Sequence, residues 1–421
     1  MVHKRGQVQS ARKIKHITAV KRGASPRPID DPKYFDNDGE FAWVRISDVS
    51  ASDKYLTKTE QRLSILGSSL SVKQYPNDLF LSIAATVGKP IITKIKCCIH
   101  DGFVWFPTIK LNREYLYYLF ETGFPFQGLG KLGTQLNLNT DTIGDILIAI
   151  PPNTEIRSIV EYIDQETSKI DKLVSIKQKQ IELLKEKRAA IITRAVTKGL
   201  DPNVHMKDTG IEWLVEMPEH WAILQIRRVI KKFVDYRGKT PDKVCSGIPL
   251  ITAANVKNGL IDFDNCKEYV KFEDYGEWMG RGLPEIGDVL ITTEAPLGEV
   301  AQINDTNIAL AQRIIMLKAN KKLITNEYLK YFIMCGAGNA ELVTRSTGST
   351  ALGIKAWHLR EILILIPPLI DQVEITHIID SETSKIDRLI NKIQSSIEKL
   401  QEYRTALISA AVTGKIDVRG E

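Results

Sequence analysis

The chain is short of cysteine, of histidine and of long apolar runs, and each shortage removes a class of protein. Its five cysteines (Cys97, Cys98, Cys245, Cys266 and Cys335) form no C-x-x-C pair and none has a histidine at ligand spacing, which argues for reduced cytosolic thiols and against a zinc module or a disulfide framework. The seven histidines show no zinc or triad spacing either, so no metal is expected. Apolar runs such as "EILILIPP" fall far short of a bilayer span, and no charged segment followed by an apolar one opens the chain. The expectation is a cytoplasmic protein without a membrane partner. No G-x-x-x-x-G-K-[ST] occurs, so ATP is not held by a P-loop. Acidic residues are also missing from the start of the chain: from Lys4 to Arg27, Lys4, Arg5, Arg12, Lys13, Lys15, Lys21, Arg22 and Arg27 follow one another with no Asp or Glu among them. That stretch is either a solvated charged terminus or a phosphate-facing segment.

What is present is a folded chain of several domains. At 421 residues it exceeds one ordinary core, and 43% hydrophobic with 26% charged residues exclude wholesale disorder. The formal charge of +6 permits an anionic partner without naming one. "DQETSKIDKL" at Asp164–Leu173 returns as "DSETSKIDRL" at Asp380–Leu389. Laid on each other at a constant offset of 216 (382 − 166 = 216), residues 151–201 and 367–417 are identical at roughly half of their positions without a gap. Each copy follows an apolar strand ending in two prolines, "DILIAIPP" and "EILILIPP", and proline both ends a strand and opens a helix.

Within the first copy the apolar residues Ile156, Val160, Ile163, Ile170, Val174, Ile181, Leu184, Ile191 and Ala195 recur in alternating steps of three and four. Polar Thr167, Lys177 and Arg188 fill the remaining seam positions, and Thr383, Ile393 and Arg404 are their counterparts. The full candidate seam is Ile163, Thr167, Ile170, Ile181, Leu184 and Arg188 against Ile379, Thr383, Ile386, Ile397, Leu400 and Arg404. Two such helices are expected to pair, with the polar positions fixing register at some cost in stability. A helix from about Thr154 to Lys198 would be roughly 67 Å long, which suits a spacer better than a globular core.

The stretches between the helices correspond more weakly. "RGASPRP" at Arg22–Pro28 faces "RGKTPDK" at Arg237–Lys243, and "WVRISDVS" at Trp43–Ser50 faces "LITAANVK" at Leu250–Lys257. "DLFLSIAATVG" at Asp78–Gly88 faces "DVLITTEAPLG" at Asp288–Gly298, and "LGTQLNLN" at Leu132–Asn139 faces "TGSTALGI" at Thr347–Ile354. Short strands and Gly/Pro turns predict an α+β chain: two β-rich mixed domains separated by two long helices in an antiparallel coiled coil, with an internal two-fold repeat. The divisions are residues 1–152, a first domain; 153–198, a first helix; 199–220, a joint rich in breakers; 221–368, a second domain; and 369–417, a second helix.

The phrases "ETSKIDKL", "AVTKGLDPNVHMKDTGIEWLVEMPEHW" and "AVTGKID", in this arrangement, resemble the specificity subunit of type I restriction–modification enzymes over nearly the whole chain. The resemblance is strongest in the helices and the joint and weakest in the two domains. It implies a non-catalytic subunit in which each domain is a target-recognition domain reading half of a split sequence in double-stranded DNA. It also implies docking of two adenine methyltransferase (modification) subunits and, where present, two restriction subunits. No cofactor is expected on this chain; S-adenosylmethionine, ATP and Mg belong on the partners. Two departures stand out. A phrase like "IEWLVEMPEHW" usually precedes each recognition domain, whereas this chain opens with "MVHKRGQVQSARK", which points to a shortened N-terminus. The family's helix often opens on an acidic residue and Gln, as at Asp371–Gln372, where the first copy has Glu155–Ile156.

Base reading in the major groove uses Arg or Lys on guanine and Asn or Gln on adenine, with further cations on phosphates. The candidates are Lys21, Arg22, Arg27, Arg45 and Lys89 in the first domain and Arg237, Lys239, Asn255, Lys257 and Arg345 in the second. Taken singly, each is more often an ordinary surface charge. The Gly-rich loops at Gly133 and Gly348 could bring amides near phosphate, though tight turns explain them as well. Rival classes fit less. "FQGLG" at Phe126–Gly130 matches the F-x-G-x-G loop of adenine methyltransferases, but no N-P-P-Y or D-P-P-Y follows to hold a flipped adenine. "PDK" at Pro241–Lys243 has no E-x-K partner for a nuclease site. A methyltransferase complex without restriction, or a coiled-coil scaffold, are the remaining alternatives; the scaffold leaves two large domains unexplained.

Overall fold

The structure, a computed structural model, describes residues 10–129, 138–212, 214–238, 240–348 and 352–418. The chain is α+β and divides into two units, one of residues 1–177 with 395–421 and one of residues 178–394. Each unit holds one sheet-rich domain and one stretch of each long helix.

In the first unit a five-stranded sheet runs in the order Lys21–Arg22, Phe103–Trp105, Leu79–Ser82, Pro90–Thr93, Tyr55–Leu56. A four-stranded sheet runs Gln61–Leu63, Phe41–Val44, Cys97–Ile99, Val72–Gln74. In the second unit the four-stranded sheet runs Ile230–Asp235, Ile314–Ala319, Val289–Thr293, Leu297–Gln302, beside a three-stranded sheet of Tyr269–Val270, Ile248–Ile251 and Ala309–Leu310. The central strands are buried on both faces, as in Leu79–Ser82 and Val289–Thr293, where every residue is buried and only the closing Ser82, Thr292 and Thr293 are polar. Strands of this kind need cover on both sides. Cys97, Cys98 and Cys335 lie in these cores, where burial pushes the thiols up to about 12, 12 and 11, while Cys245 is exposed.

The two domains repeat each other down to single hydrogen bonds. The Asp78 carboxylate accepts from Tyr75 N, and Asp288 accepts from Glu285 N. Ten residues on, Gly88 and Gly298 have φ of +87° and +82°, a region glycine enters without strain. Between them Ser82 Oγ donates to Thr86 O and accepts from Lys89 N, as Thr292 Oγ1 donates to Pro296 O and accepts from Glu299 N. Asp48 accepts from Arg45 N in the first domain, and Asn255 accepts from Thr252 N in the second. The first domain ends on an antiparallel pair, Ser10–Lys13 with Leu147–Ile150, and the second on Ala222–Gln225 with Leu363–Ile366.

Both second strands lead through Pro-Pro into a long helix, Asn153–Lys198 and Leu369–Val412. Pro152 O and Pro368 O accept the first helical bonds, from Ile156 N and Gln372 N. The departure at this position has a structural counterpart. Ile156 is buried as an apolar filler, whereas Gln372, fully buried, donates to Pro367 O and Leu323 O and accepts from Thr325 N. The second helix stops at Val412, short of the expected residue 417, because Gly414 takes φ of +69° while its own N and Lys415 N bond back to Ala411 O and Ala410 O, closing the last turn.

Residues 199–220, expected as a joint of breakers, form an antiparallel hairpin of Met206–Ile211 with Leu214–Pro218. Gly199, at φ +74°, ends the helix, and Lys207 Nζ ties the hairpin down to Trp221 O at 3.0 Å.

Candidate nucleic-acid interface

The repeated phrase lies on the long helices, and its polar residues are used within each unit. Every seam position from Ile163 to Arg188 and from Ile379 to Arg404 is buried or half-buried, while Leu173, Ile176, Leu183 and Leu389, off the seam, are exposed. In the first unit Ile156, Val160 and Ile163 share a core with Ile408, Ala411 and Val412; in the second, Ile192, Ala195 and Val196 share one with Ile375 and Ile379. The start of one helix therefore lies along the end of the other, which is antiparallel pairing. Thr167 and Thr383 are buried and return their hydroxyls to Ile163 O and Ile379 O, both at 2.7 Å, the helical way to bury a threonine without an orphaned donor.

Arg188 and Arg404 each meet a carboxylate of the facing helix. Arg188 Nε lies 3.2 Å from Asp387 in the second unit, and Arg404 Nε lies 3.0 Å from Asp171 in the first. Asp171 and Asp387 are themselves 216 apart, so the two bridges are images under the repeat. Arg404 also reaches Glu121 of the domain helix Arg113–Glu121 at 3.1 Å. This alters the expected cost of the polar seam: a leucine at 404 would leave the half-buried Glu121 carboxylate, and the exposed Asp171 beside it, without their cation. Arg404→Leu should lower stability by about 1–3 kcal/mol, read as a drop in the urea midpoint at unchanged slope.

The candidate DNA residues are distributed as follows. Lys21, Arg22, Arg27, Arg45 and Lys257 are exposed. Arg22 Nε donates to Asp101 O at 2.6 Å, and Arg27 Nη2 lies 2.9 Å from the Asp101 carboxylate, which also accepts from Ser25 Oγ. Burial alone would raise the Asp101 carboxyl, but the Ser25 hydrogen bond and the Arg27 charge hold it below the usual carboxylate range. Asp101, which the sequence did not single out, thus gathers two candidate cations at one turn. Beside it His100 is packed between Trp43 and Phe103, and burial holds its imidazole below its ordinary value.

Lys89 is turned inward, donating to Ser52 O at 2.6 Å and Ser50 O at 3.1 Å, and burial lowers its ammonium. Arg237 grips Asp235 and is itself held from behind by Arg281, which donates to Arg237 O at 3.0 Å. Arg345 is 2.6 Å from Glu341 and 3.8 Å from Glu361. Asn255 corrects the expectation outright. It is 2% exposed, with its amide spent on Thr252 and on Asp262 O, because it occupies the loop-closing position that Asp48 fills in the first domain. Lys239 and Gly133 lie outside the described residues. Among the described residues no group of three His, Cys, Asp or Glu could hold a metal, and no helix is long and apolar enough to cross a membrane.

The repeat of domain and helix matches one family twice, the type I restriction modification DNA specificity domain, over residues 11–185 and 218–399. The chain belongs to that family. As a specificity subunit it is a non-catalytic component of a type I restriction–modification system. The protein named as the MjaX specificity subunit of Methanocaldococcus jannaschii is 24% identical over 321 residues, 74% of this chain and 69% of that one. The EcoBI specificity subunit of Escherichia coli is 20% identical over 291 residues, 67% of this chain and 61% of its own length. A solved chain, from work on complex assembly and conformational transition of the type I R-M system, superposes with a TM-score of 0.70 at 14% identity, covering 97% of this chain and 98% of that one. At that identity the likeness speaks to the fold of the specificity subunit alone.

Proposed function

We propose that this specificity subunit reads a bipartite DNA target, one half-site per domain, and docks two modification subunits and, where the system has them, two restriction subunits in the cytoplasm. The observation that carries the reading is the paired architecture: two domains that share their loop-closing hydrogen bonds, each followed by a helix bearing the same phrase. Two like readers on one chain suit a target with two parts better than a contiguous one. Sequence choice would come from exposed cations in turns and short edge strands, for which Lys21, Arg45 and the Asp101-bound pair Arg22 and Arg27 are the first-domain candidates and Lys257 the exposed one in the second. Methyl transfer and ATP use would belong to the partners. The purified chain should bind duplex DNA with an affinity that falls steeply with salt, and should show neither methyl transfer nor ATP hydrolysis. Salt-insensitive binding, or turnover by the chain alone, would overturn this.

A further inference from the structure

The domain helices Arg113–Glu121 and Asn326–Met334 carry a pair of tyrosines three residues apart, Tyr115 with Tyr118 and Tyr328 with Tyr331. Each helix is capped three residues before the first tyrosine, by Asn112 accepting from Tyr115 N and Thr325 accepting from Tyr328 N. All four rings are buried. Their hydroxyls follow one pattern. Tyr118 donates to Asp164 on the first long helix, and Tyr331 donates to Asp380 on the second, the residue 216 further on. Tyr115 Oη lies 3.3 Å from Val412 O, sharing its proton with Ala149 O at the same distance, and Tyr328 donates to Val196 O at 3.1 Å; Val196 and Val412 are again 216 apart, each in the last turn of the other long helix. Carbonyls in a last turn have no partner within the helix, so these phenols supply a donor that the helix end lacks. In the first unit Lys54 Nζ reinforces the lock, 2.7 Å from Asp164 and 3.0 Å from Tyr118 Oη. Burial, and then the neighbouring carboxylate, push Tyr118 and Tyr331 well above the ordinary phenol range, so both remain donors at any assay pH.

A domain joined to one helix by a single contact could pivot; one joined to both helices by two hydroxyls on the same helical face cannot pivot without breaking one of them. We propose that the four tyrosine hydroxyls are positioning groups that hold each recognition domain at one angle on its helix pair, and so restrict the target to a single gap length between half-sites. The proposal rests on the bipartite reading. None of the exposed candidate cations belongs to either tyrosine-bearing helix, so the bases read within a half-site should be indifferent to the lock.

The test supplies the modification subunit and maps methylated adenines for the unchanged chain, for Tyr118→Phe with Tyr331→Phe, and for Asp164→Asn with Asp380→Asn. The phenylalanine pair keeps both rings and loses both charge-assisted bonds. It should retain the half-site bases while methylation at gaps one base pair longer or shorter rises by about tenfold, the factor that loss of one such bond carries. The asparagine pair keeps an acceptor for each hydroxyl and should retain the single gap even where its thermal stability falls, which a merely structural role would not separate. Should the double phenylalanine variant not fold, each single variant is read in the same way. An unchanged chain with one gap and phenylalanine variants with the same gap would overturn the lock alone. An unchanged chain without a split target would overturn both the lock and the bipartite reading.

Discussion

Exchanging residues 1–150 for the corresponding segment of another specificity subunit should replace one half of the methylated sequence and leave the other half intact. The expectation rests on the self-sufficiency of the first domain. Its two sheets pair only within residues 21–105, and its terminal strand closes on Leu147–Ile150 just before the prolines that open the helix. The junction should fall before Pro151, so that Asp164, Thr167 and Asp171 stay with the helix they serve. The donor segment must bring equivalents of Tyr115, Tyr118 and Glu121, which face those helices; without them the exchange would damage attachment as well as reading. A correct exchange should abolish modification at the old first half-site, at a cost of about 1–3 kcal/mol per wrong base pair. A change in both halves would contradict independent reading.

Lengthening both long helices by four residues should widen the gap between half-sites by one or two base pairs without changing the bases read. Four residues add about 6 Å of helix, and base pairs in B-DNA are about 3.4 Å apart. The insertions must be matched, one after Lys177 and one after Gln394. Placed there they leave Arg404 beside Asp171 and Arg188 beside Asp387, whereas an insertion in one helix alone would slide one bridge off its partner. Four is half a residue more than half a heptad, so the seam shifts only slightly and the pairing unwinds locally instead of failing. Modified adenines mapped in cells carrying the lengthened chain would report the gap. A gap of unchanged length would mean that these helices do not measure it.

The helices were the most legible part of this sequence, for a physical reason. A seam in steps of three and four is a local pattern, and Ile163, Ile170, Ile181 and Leu184 announce it without knowledge of any partner. The domain repeat was legible where backbone geometry demands a residue type, as at Asp78 and Gly88 against Asp288 and Gly298. The tyrosine locks were not. Tyr118 and Asp164 are far apart in sequence and each is unremarkable alone; their equivalence to Tyr331 and Asp380 emerges only when helix and domain are seen together. The same holds for the reciprocal bridges, where a basic residue of each copy meets an acidic residue of the other.

The DNA candidates divide along the same line. Residue type and loop position placed Lys21, Arg22, Arg27, Arg45 and Lys257 on the surface, but they could not foresee that Asn255 closes its own loop or that Lys89 caps carbonyls of Ser50 and Ser52. A polar side chain in a turn serves the turn as readily as a ligand. The phrase "DQETSKIDKL", which returns with only Gln165 and Lys172 replaced by Ser381 and Arg388, is accordingly explained first by internal duties, since Asp164, Thr167 and Asp171 are all engaged within the chain. Partner docking would have to use what the phrase leaves exposed, such as Lys172 and Leu173 with Arg388 and Leu389.

The central claim is that one chain reads two separated half-sites. Mapping methylated adenines genome-wide in cells that carry this subunit with its modification partner tests it most directly. Reading by two domains predicts one motif made of two specified blocks separated by an unspecified gap of constant length. A contiguous motif, or methylation governed by a single block, would contradict it.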